Sequence, residues 1–506
     1  MTLIIKRDPE LDFVLPQELL NSLEGVAGFD AAAFKKVHED PGQGVSIRFN
    51  PAKYPTGAPL LREDVTRPVP WSSFGYYLAR RPSFTMDPLF HAGAYYVQEA
   101  SSMFLEQALR QTVDLSRPLR VLDLCAAPGG KSTLIQSLIS AESLLVSNEV
   151  IRSRAGILQE NMIKWGAVNT IVTQNDPRDF GALEHFFDVI VVDAPCSGSG
   201  LFRRDPAAIG EWSLSNVQLC GERQQRILAD CWPALKPGGI LVYSTCSYSR
   251  QEDEEILEWM MAQLDPAAAG MRLTVERDWN IVESEVKGGG CGYRFYPDKL
   301  DGEGLFIACV QKPGESAASG SRDNGSPHTG FRDSGKRSGD KYSGEKHFGN
   351  KHSGGKRTAP DKLNGAELDT ASAWLKPEAV KSAYFFRHAD LIHLLPGEHA
   401  EDLSLLRSKL YLRKAGLALG QAGQKEFIPE HELAMSPLAS PQIAVVTLSL
   451  EEAIRYLRKE EIGPLPGQPR KGWALVQYEG YSLGWIKVLP NRINNYYPKD
   501  WRILKR

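Results

Sequence analysis

The sequence of 506 residues predicts an α/β protein whose central part is a doubly wound, Rossmann-like sheet. Three observations support this fold class. Short apolar runs alternate with helical patterns between residues 115 and 312, a glycine-rich turn follows the first run, and a low-complexity stretch ends the region. Alternation of this kind is typical of parallel strands joined by helices, with a ligand at the carboxyl ends of the strands.

The predicted strands are apolar or β-branched runs of the length that buried parallel strands have. They are Leu119–Cys125, Leu144–Val150, Thr170–Asn175, Phe187–Asp193 and Gly239–Thr245. The helical patterns between them are Ser132–Ile139, Ser153–Trp165 and Leu219–Leu235. A hairpin-like pair, Tyr293–Tyr296 and Leu305–Gln311, is expected to close one edge of the sheet.

The flanking regions differ in composition from the centre. Residues 1–114 show helical and loop patterns rich in proline and aromatic residues, and residues 115–312 form the predicted catalytic domain. Residues 313–365 are almost free of aliphatic side chains and predict a flexible linker, either a solvated spacer or a basic segment that holds RNA loosely. Residues 383–506 predict a small α+β module with strands at Ile443–Leu450, Gly472–Tyr478 and Leu483–Val488.

Charge and hydropathy narrow the function classes. The formal net charge is only -3, so nucleic-acid binding would need local basic patches rather than a field of the whole molecule. No apolar run is long enough for a membrane span, which takes roughly 18 residues. The N-terminus has too early a charge for a signal peptide, and we expect a cytoplasmic protein without a membrane association.

The seven cysteines are scattered and form no C-x-x-C pair. This spacing argues against a disulfide framework and against a zinc site, so we expect reduced thiols and no metal. We expect Cys220, Cys231 and Cys309 to be small buried hydrophobic residues.

A glycine-containing turn follows the first predicted strand. This segment, called the glycine loop below, consists of Cys125, Ala126, Ala127, Pro128, Gly129, Gly130 and Lys131. Its small residues let the backbone approach a ligand closely. A phosphate loop of a nucleotide hydrolase would need glycine where Cys125 stands, which disfavours that function.

Acidic residues end the next two strands. Glu149 follows the second strand, where an acid commonly accepts hydrogen bonds from ribose hydroxyls. Asp176 ends the third strand and could reach an adenine amino group. The alternative is that each acid only caps a helix or turn.

Two cysteines end the fourth and fifth strands. Cys196 lies in Asp193-Ala-Pro-Cys-Ser-Gly and Cys246 in Ser-Thr-Cys-Ser, so both thiols should face the ligand. A thiolate that adds to carbon 6 of a cytosine makes carbon 5 nucleophilic, and a second thiol can act as acid or base when the adduct is resolved. Asp193 is placed to hydrogen-bond the base and to offset charge on the ring.

These motifs resemble the NOL/NOP/Sun family of RNA cytosine-C5 methyltransferases. The similar segments are 123–132, 193–198 and 244–247. Residues 90–102, 200–212 and 220–225 resemble the bacterial RsmF-like branch, which modifies 16S ribosomal RNA. The resemblance is strong over residues 40–312 and weaker in Gly472-Trp473, Leu483-Gly484-Trp485 and Tyr496-Tyr497-Pro498-Lys499, which are similar to an RNA-binding tail with a PUA-like fold.

The resemblance implies a class I methyltransferase that uses S-adenosylmethionine, with an RNA-binding subdomain at residues 1–114. It implies Cys246 as nucleophile and Cys196 as the thiol that aids product release. The glycine loop, Glu149, Asp176 and Asp193 would bind the methyl donor. Arg154 either lines this site or is a surface charge of its helix.

The partner implied is 16S rRNA or the small ribosomal subunit, bound by a monomer. A flipped-out cytosine would be held by aromatic and basic side chains. The candidates are Arg203-Arg204, Arg48-Phe49-Asn50, Trp485, Lys487, Arg492, Tyr496, Tyr497, Lys499, Trp501 and Arg502.

Three other functions remain as alternatives. They are a DNA cytosine methyltransferase, which the cysteine in Thr-Cys-Ser disfavours, a tRNA methyltransferase, and a non-catalytic ribosome-assembly factor.

Overall fold

The computed structural model describes residues 14–39, 44–54, 64–314, 363–388, 390–423 and 426–504. Residues 315–362, which make up most of the predicted linker, lie outside the described residues.

The N-terminal segment contains a small antiparallel sheet with the strand order β2-β3-β1-β4. Its elements are α1 (Gln17–Ser22), α2 (Ala31–Glu39), β1 (Val45–Phe49), β2 (Val65–Pro68), β3 (Gly75–Leu78), α3 (Pro88–His91), β4 (Tyr95–Val97) and α4 (Leu105–Thr112). The expectation of only helices and loops here is wrong. Strand β1 is buried along its whole length although Ser46 and Arg48 are polar, so its sequence lacks the apolar pattern of a strand.

The central segment carries the α/β alternation that the sequence predicts. Its strands are β5 (Arg120–Asp123), β6 (Leu144–Asn148), β7 (Thr170–Thr173), β8 (Phe187–Asp193), β9 (Leu235–Thr245), β10 (Ala269–Met271), β11 (Val282–Glu285), β12 (Cys291–Phe295) and β13 (Leu305–Gln311). Its helices are α5 (Gly130–Gln136), α6 (Arg152–Trp165), α7 (Pro177–Phe180), α8 (Ala208–Glu211), α9 (Leu214–Cys231) and α10 (Glu254–Trp259).

Among the described residues, ten strands form the central sheet. The path runs β11-β12-β13-β9-β8-β5-β6-β7 and ends on a strand from the C-terminal segment, while β10 pairs with β13. Strands β9, β8, β5, β6 and β7 are mutually parallel, and β13 is antiparallel to β9. Apolar cores cover both faces of this sheet. The predicted Rossmann-like class and the edge hairpin β12–β13 are confirmed.

The C-terminal segment combines short helices with antiparallel strands. Its strands are β14 (Ala383–His388), β15 (Leu391–Pro396), β16 (Leu412–Ala415), β17 (Leu417–Ala422), β18 (Phe427–Pro429), β19 (Val445–Thr447), β20 (Gly472–Tyr478), β21 (Tyr481–Leu489) and β22 (Arg492–Asn495). Its helices are α11 (Gly365–Ser372), α12 (Pro377–Lys381), α13 (Ala400–Lys409), α14 (His431–Met435) and α15 (Leu450–Leu457).

Strand β16 links the C-terminal segment to the central sheet. It pairs antiparallel with β7, and the rest of the segment forms sheets in the orders β14-β15-β17-β18 and β19-β20-β21-β22. The predicted domain boundaries stay a prediction. One strand of residues 383–506, β16, belongs to the central sheet rather than to the sheets of the C-terminal segment.

Candidate active site

The two predicted thiols come together at the carboxyl ends of neighbouring strands. Strands β8 and β9 pair in parallel with Asp193 opposite Ser244, so the loops that follow them lie side by side. The Sγ atoms of Cys196 and Cys246 are 3.0 Å apart, and both side chains are partly exposed. All seven cysteines are among the described residues and are free thiols.

The surroundings of Cys196 favour the protonated form of its thiol. The hydrogen bond to Cys246 raises the pKa of Cys196 well above its usual range, and burial and the charges of Cys246 and Glu252 act in the same direction. Either thiol can donate the hydrogen bond that joins the two sulfurs.

Glycines bring the backbone of these loops into contact. The amide N–H of Gly200 donates to the carbonyl oxygen of Cys246 at 2.8 Å, and the N–H of Gly304 donates to Gly200 at 3.3 Å. A Cβ atom at Gly200 would lie 2.7 Å from the carbonyl oxygens of both Cys246 and Gly304. A larger residue would therefore displace the cysteine loop.

A lysine–aspartate pair lies beside the thiols. The Nζ atom of Lys131 is 2.9 Å from Oδ1 of Asp193, which also accepts a hydrogen bond from Ser244 at 2.8 Å. Burial alone would lower the pKa of Lys131, but the charges of Asp193, Asp123 and Cys246 raise it overall. The ammonium group is thus a fixed cation within electrostatic reach of Cys246.

The residues in and beside the glycine loop fit a polar cofactor. Asp123, just before the loop, is fully buried and accepts a hydrogen bond from Ser132 through Oδ2, while Oδ1 has no hydrogen-bond partner in the described structure. Burial raises the pKa of this carboxyl to about 7. Gly129 has φ of 113°, a conformation that favours glycine. A buried acceptor without a partner beside an open backbone turn suits a ligand that carries donors.

Glu149 and Arg154 enclose the other side of the glycine loop. The carboxylate of Glu149 accepts from the N–H of Ile151 at 2.9 Å and lies 3.3 Å from Arg154, which donates to the carbonyl oxygen of Ala127 at 2.8 Å. Arg154 therefore contacts the loop rather than standing free on its helix. Sequence reasoning missed Val150 and Ile151, whose side chains are about half exposed here, although two apolar residues directly after a strand-ending acid are the signal.

Asp176 begins a short helix. Its side chain accepts from the N–H of Arg178 at 3.2 Å, and Asp179 reciprocates to the N–H of Asp176 at 3.2 Å. The side chain remains 42% exposed, so this capping contact leaves it reachable by a ligand. Its proposed contact with adenine stays a prediction.

Several residues expected to contact RNA are buried instead. Arg48 is 1% exposed and donates to Gln98, to Thr133 and to the carbonyl oxygen of Gly130, which anchors the helix after the glycine loop to β1. Asn50 is fully buried as well. The expectation of RNA contacts from these two residues is wrong, because the N-terminal sheet packs them against the catalytic domain.

Arg203 also departs from the expectation. It is 7% exposed and donates to the carbonyl oxygen of Gly302 at 3.1 Å, with Glu303 at 3.6 Å. Arg204, its neighbour, is exposed.

The predicted C-terminal RNA cluster is split by burial. Trp485 and Tyr497 are each 1% exposed and pack in the core, so the expectation that these two contact RNA is wrong. Arg492, Tyr496 and Lys499 are exposed and remain candidates for RNA contact.

A buried acidic residue next to the thiols was missed at the sequence level. Glu252 is fully buried and accepts hydrogen bonds from Ser197 and Ser247, the residues that follow Cys196 and Cys246. Four consecutive acids at 252–255 were the available signal, since acids are rarely buried without partners. Arg294 pairs with Glu254 at 2.5 Å and with Asp253 at 3.1 Å.

Among the described residues, no group of three or more His, Cys, Asp or Glu side chains could hold a metal ion. No helix in that part of the chain is long and apolar enough to cross a membrane.

Comparisons with known proteins match all three regions of the chain. The family model described as 16S rRNA methyltransferase RsmB/F matches residues 111–311. The N-terminal domain of 16S rRNA methyltransferase RsmF matches residues 15–100, and the methyltransferase RsmF PUA domain matches residues 444–503. The predicted RsmF-like resemblance and PUA-like module are confirmed.

Individual relatives agree with the family models. The chain is 32% identical over 451 residues to ribosomal RNA small subunit methyltransferase F of Shewanella woodyi, covering 86% of this chain and 84% of that protein. It is 29% identical to the protein of the same name in Salmonella agona, over 86% of this chain and 84% of that one. The crystal structure of PH0851 is similar in fold, with a TM-score of 0.52, 22% identity, and coverage of 59% of this chain and 66% of that chain.

Proposed function

Because the chain belongs to the ribosomal RNA small subunit methyltransferase F family, we propose that it methylates carbon 5 of a cytosine in 16S rRNA through a covalent bond between Cys246 and carbon 6. The contact between Cys196 and Cys246, 3.0 Å from sulfur to sulfur, is the observation that carries this proposal. Two thiols in contact beside a lysine–aspartate pair match a reaction in which one sulfur attacks a ring and the other helps release it.

The methyl donor of this family is S-adenosylmethionine, which supplies an electrophilic methyl group on a sulfonium when it is bound. The glycine loop and the buried Oδ1 of Asp123 would hold its polar end. Glu149 would accept from its ribose hydroxyls, with Val150 and Ile151 as an apolar surface for the base. Asp176 would meet the adenine amino group.

The attack step uses the charges around Cys246. Its thiolate adds to carbon 6 of the flipped-out cytosine, and the electron pair of the 5,6 double bond moves toward carbon 5 and the ring nitrogen. Lys131 supplies a fixed positive charge near the sulfur, and Asp193, 37% exposed, can hydrogen-bond the base edge. Carbon 5 then takes the methyl group.

Release of the product needs the second thiol. A base such as a water molecule takes the proton from carbon 5, and the electron pair of that C–H bond restores the 5,6 double bond. The bond between carbon 6 and Cys246 breaks, and its electron pair goes to the sulfur. The departing sulfur leaves as a thiolate, and the Sγ atom of Cys196 lies 3.0 Å from the Sγ atom of Cys246. Cys196 therefore stabilises the leaving sulfur by hydrogen bonding.

The RNA substrate would be held by the flanking segments. The exposed Arg492, Tyr496 and Lys499 lie within residues 444–503, the region that the RsmF PUA domain model matches. They combine basic and aromatic side chains, as single-stranded RNA binding requires. Binding should weaken steeply at high salt, since contacts to phosphates release counterions.

Trapping of the adduct tests the mechanism. Purified enzyme is incubated with 16S rRNA, naked or in small subunits, and labelled S-adenosylmethionine. Wild type is expected to transfer label, and nuclease digestion with mass spectrometry is expected to find 5-methylcytosine. Cys196→Ala is expected to accumulate enzyme bound to RNA on a denaturing gel, whereas Cys246→Ala is expected to give neither adduct nor product.

Cys309→Ala is the matched control, since this thiol is 1% exposed in β13 and remote from both loops in the sheet core. It should retain transfer without a trapped adduct. Full transfer by Cys246→Ala would contradict the mechanism. An absence of transfer by wild type to 16S rRNA, with transfer to tRNA or with binding alone, would favour a tRNA enzyme or an assembly factor.

A further inference from the structure

One buried carboxylate touches the loops of both cysteines. Glu252 ends a short 3₁₀ turn after β9, and its side chain is fully buried. The N–H and Oγ of Ser197 donate to its two oxygens at 2.8 and 2.5 Å, and Oγ of Ser247 donates at 2.6 Å. Because Ser197 follows Cys196 and Ser247 follows Cys246, the same carboxylate fixes both loops.

A helix completes this clamp. Nε2 of Gln224, in α9, donates to Oε1 of Glu252 at 3.3 Å and to the carbonyl oxygen of Pro195 at 3.1 Å, next to Cys196. The hydroxyl of Tyr243 donates to the backbone carbonyl of Glu252 at 2.6 Å. Both the carboxylate and its backbone are therefore held from outside the two loops.

The partners of Glu252 distinguish it from an ordinary buried ion pair. Among the described residues, the hydrogen-bond partners of the Glu252 side chain are hydroxyl and amide groups, whereas the nearby Glu254 is paired with Arg294. Burial raises the pKa of Glu252, while the hydrogen bonds from Ser197, Ser247 and Gln224 oppose that rise. Burying a carboxylate without a neighbouring cation costs free energy of folding. If Glu252 served only to stabilise the fold, neutral side chains would serve as well.

We propose that Glu252 is a positioning residue that holds the two catalytic loops so that the sulfurs of Cys196 and Cys246 stay in contact. The positioning role of Glu252 rests on the proposed function only for the roles of the two thiols. Attack on the ring needs Cys246 alone, but release needs both sulfurs together. Loss of Glu252 should therefore slow resolution of the covalent adduct more than its formation.

The first test measures the thiol contact without RNA or methyl donor. Diamide oxidises neighbouring thiols: each sulfur gives up a hydrogen to the azo bond, which becomes a hydrazine, and a disulfide forms. Wild type should form the Cys196–Cys246 disulfide rapidly, detected by mass spectrometry of peptides. Glu252→Ala should form it at least ten-fold more slowly, and Glu252→Gln, which keeps one acceptor oxygen, should lie between them.

Glu254→Gln is the matched control, since it alters a buried carboxylate two residues away that contacts Arg294 and Ser284 rather than the cysteine loops. It should lower the melting temperature but oxidise at the wild-type rate. If Glu252→Ala does not fold, Ser247→Ala removes one arm of the clamp and should slow oxidation by several fold. Equal oxidation rates in wild type, Glu252→Gln and Ser247→Ala would overturn the proposal.

The second test uses the reaction. In single turnover with 16S rRNA, Glu252→Gln should form the adduct within about three-fold of the wild-type rate but release product at least ten-fold more slowly, so that adduct accumulates. Equal slowing of both steps, as in a merely destabilised variant such as Glu254→Gln, would overturn the positioning role. If Cys196→Ala forms no adduct, the proposed function fails, while the oxidation result still decides the role of Glu252.

Discussion

Replacing Asp123 with asparagine should change how the stability of the cofactor-free enzyme depends on pH. Asp123 is fully buried at the end of β5, and one of its carboxyl oxygens has no hydrogen-bond partner in the described structure. Burial raises its pKa from 3.8 to about 7, although the hydrogen bond from Ser132 and the charge of Lys131 oppose the rise. Asparagine has nearly the same shape and does not titrate.

The direction of this pH dependence follows from whether the folded or the unfolded state binds the proton at Asp123. Below pH 3.8 both states are protonated at this position, and between pH 3.8 and about 7 the unfolded chain releases a proton that the folded enzyme keeps. The free energy of unfolding therefore falls as pH rises through this window, by about 1.36 kcal/mol for each pH unit. Above pH 7 the total decrease in the free energy of unfolding is on the order of 4 kcal/mol.

Urea denaturation of wild type and Asp123→Asn at pH 5, 6, 7 and 8 measures this difference. The variant lacks the decline, so its free energy of unfolding relative to wild type should rise by about 2–3 kcal/mol from pH 5 to pH 8. A constant cost of about 1–3 kcal/mol from an unsatisfied amide would shift every point equally. Glu255→Gln, an exposed carboxylate, should parallel wild type. Parallel curves for wild type and Asp123→Asn would refute the reasoning.

Three further predictions concern the N-terminal sheet, the cysteine loop and RNA binding. Arg48→Ala should destabilise the enzyme by about 3 kcal/mol and weaken binding of the methyl donor, since it leaves buried acceptors unpaired. Calorimetry measures both effects, and an unchanged melting temperature would contradict the prediction. Gly200→Ala should cut turnover at least ten-fold, because its Cβ would meet two carbonyl oxygens at 2.7 Å. Gly210→Ala, whose Cβ would have nothing within 4 Å, should match wild type. Equal turnover rates in the two variants would contradict the clash. Removing the charges of both Arg492 and Lys499 should lower the slope of log affinity against log salt by about 1.4, measured by filter binding, and an unchanged slope would exclude them from the interface.

Strands of the catalytic sheet and of the C-terminal segment were predictable because they carry their own signal. The predicted bounds Phe187–Asp193 and Gly472–Tyr478 coincide with those of β8 and β20, since each run of apolar or β-branched residues ends at a polar residue or turn. The meeting of Cys196 and Cys246 also followed from sequence, because parallel strands end at the same edge.

What sequence reasoning missed depends on contacts between distant segments. The residue type of Arg48 predicts a surface cation, but β1 buries it against the helix after the glycine loop. The run of acids that contains Glu252 does not tell which of them is buried beside the thiols, because its partners Ser197 and Gln224 join it only when β8, β9 and α9 assemble. Burial of a charged group is a property of the packed chain, which a local pattern does not reveal.

The pairing of β16 with β7 has a consequence for dissecting the protein. Without residues beyond 314, the backbone of Thr170–Thr173 would present an open edge to solvent, since β16 supplies its outer neighbour in the sheet. Open edges of this kind template intermolecular strand pairing. A truncated catalytic fragment should accordingly self-associate and precipitate, and the chain has to be expressed with its tail for the enzyme to stay in solution.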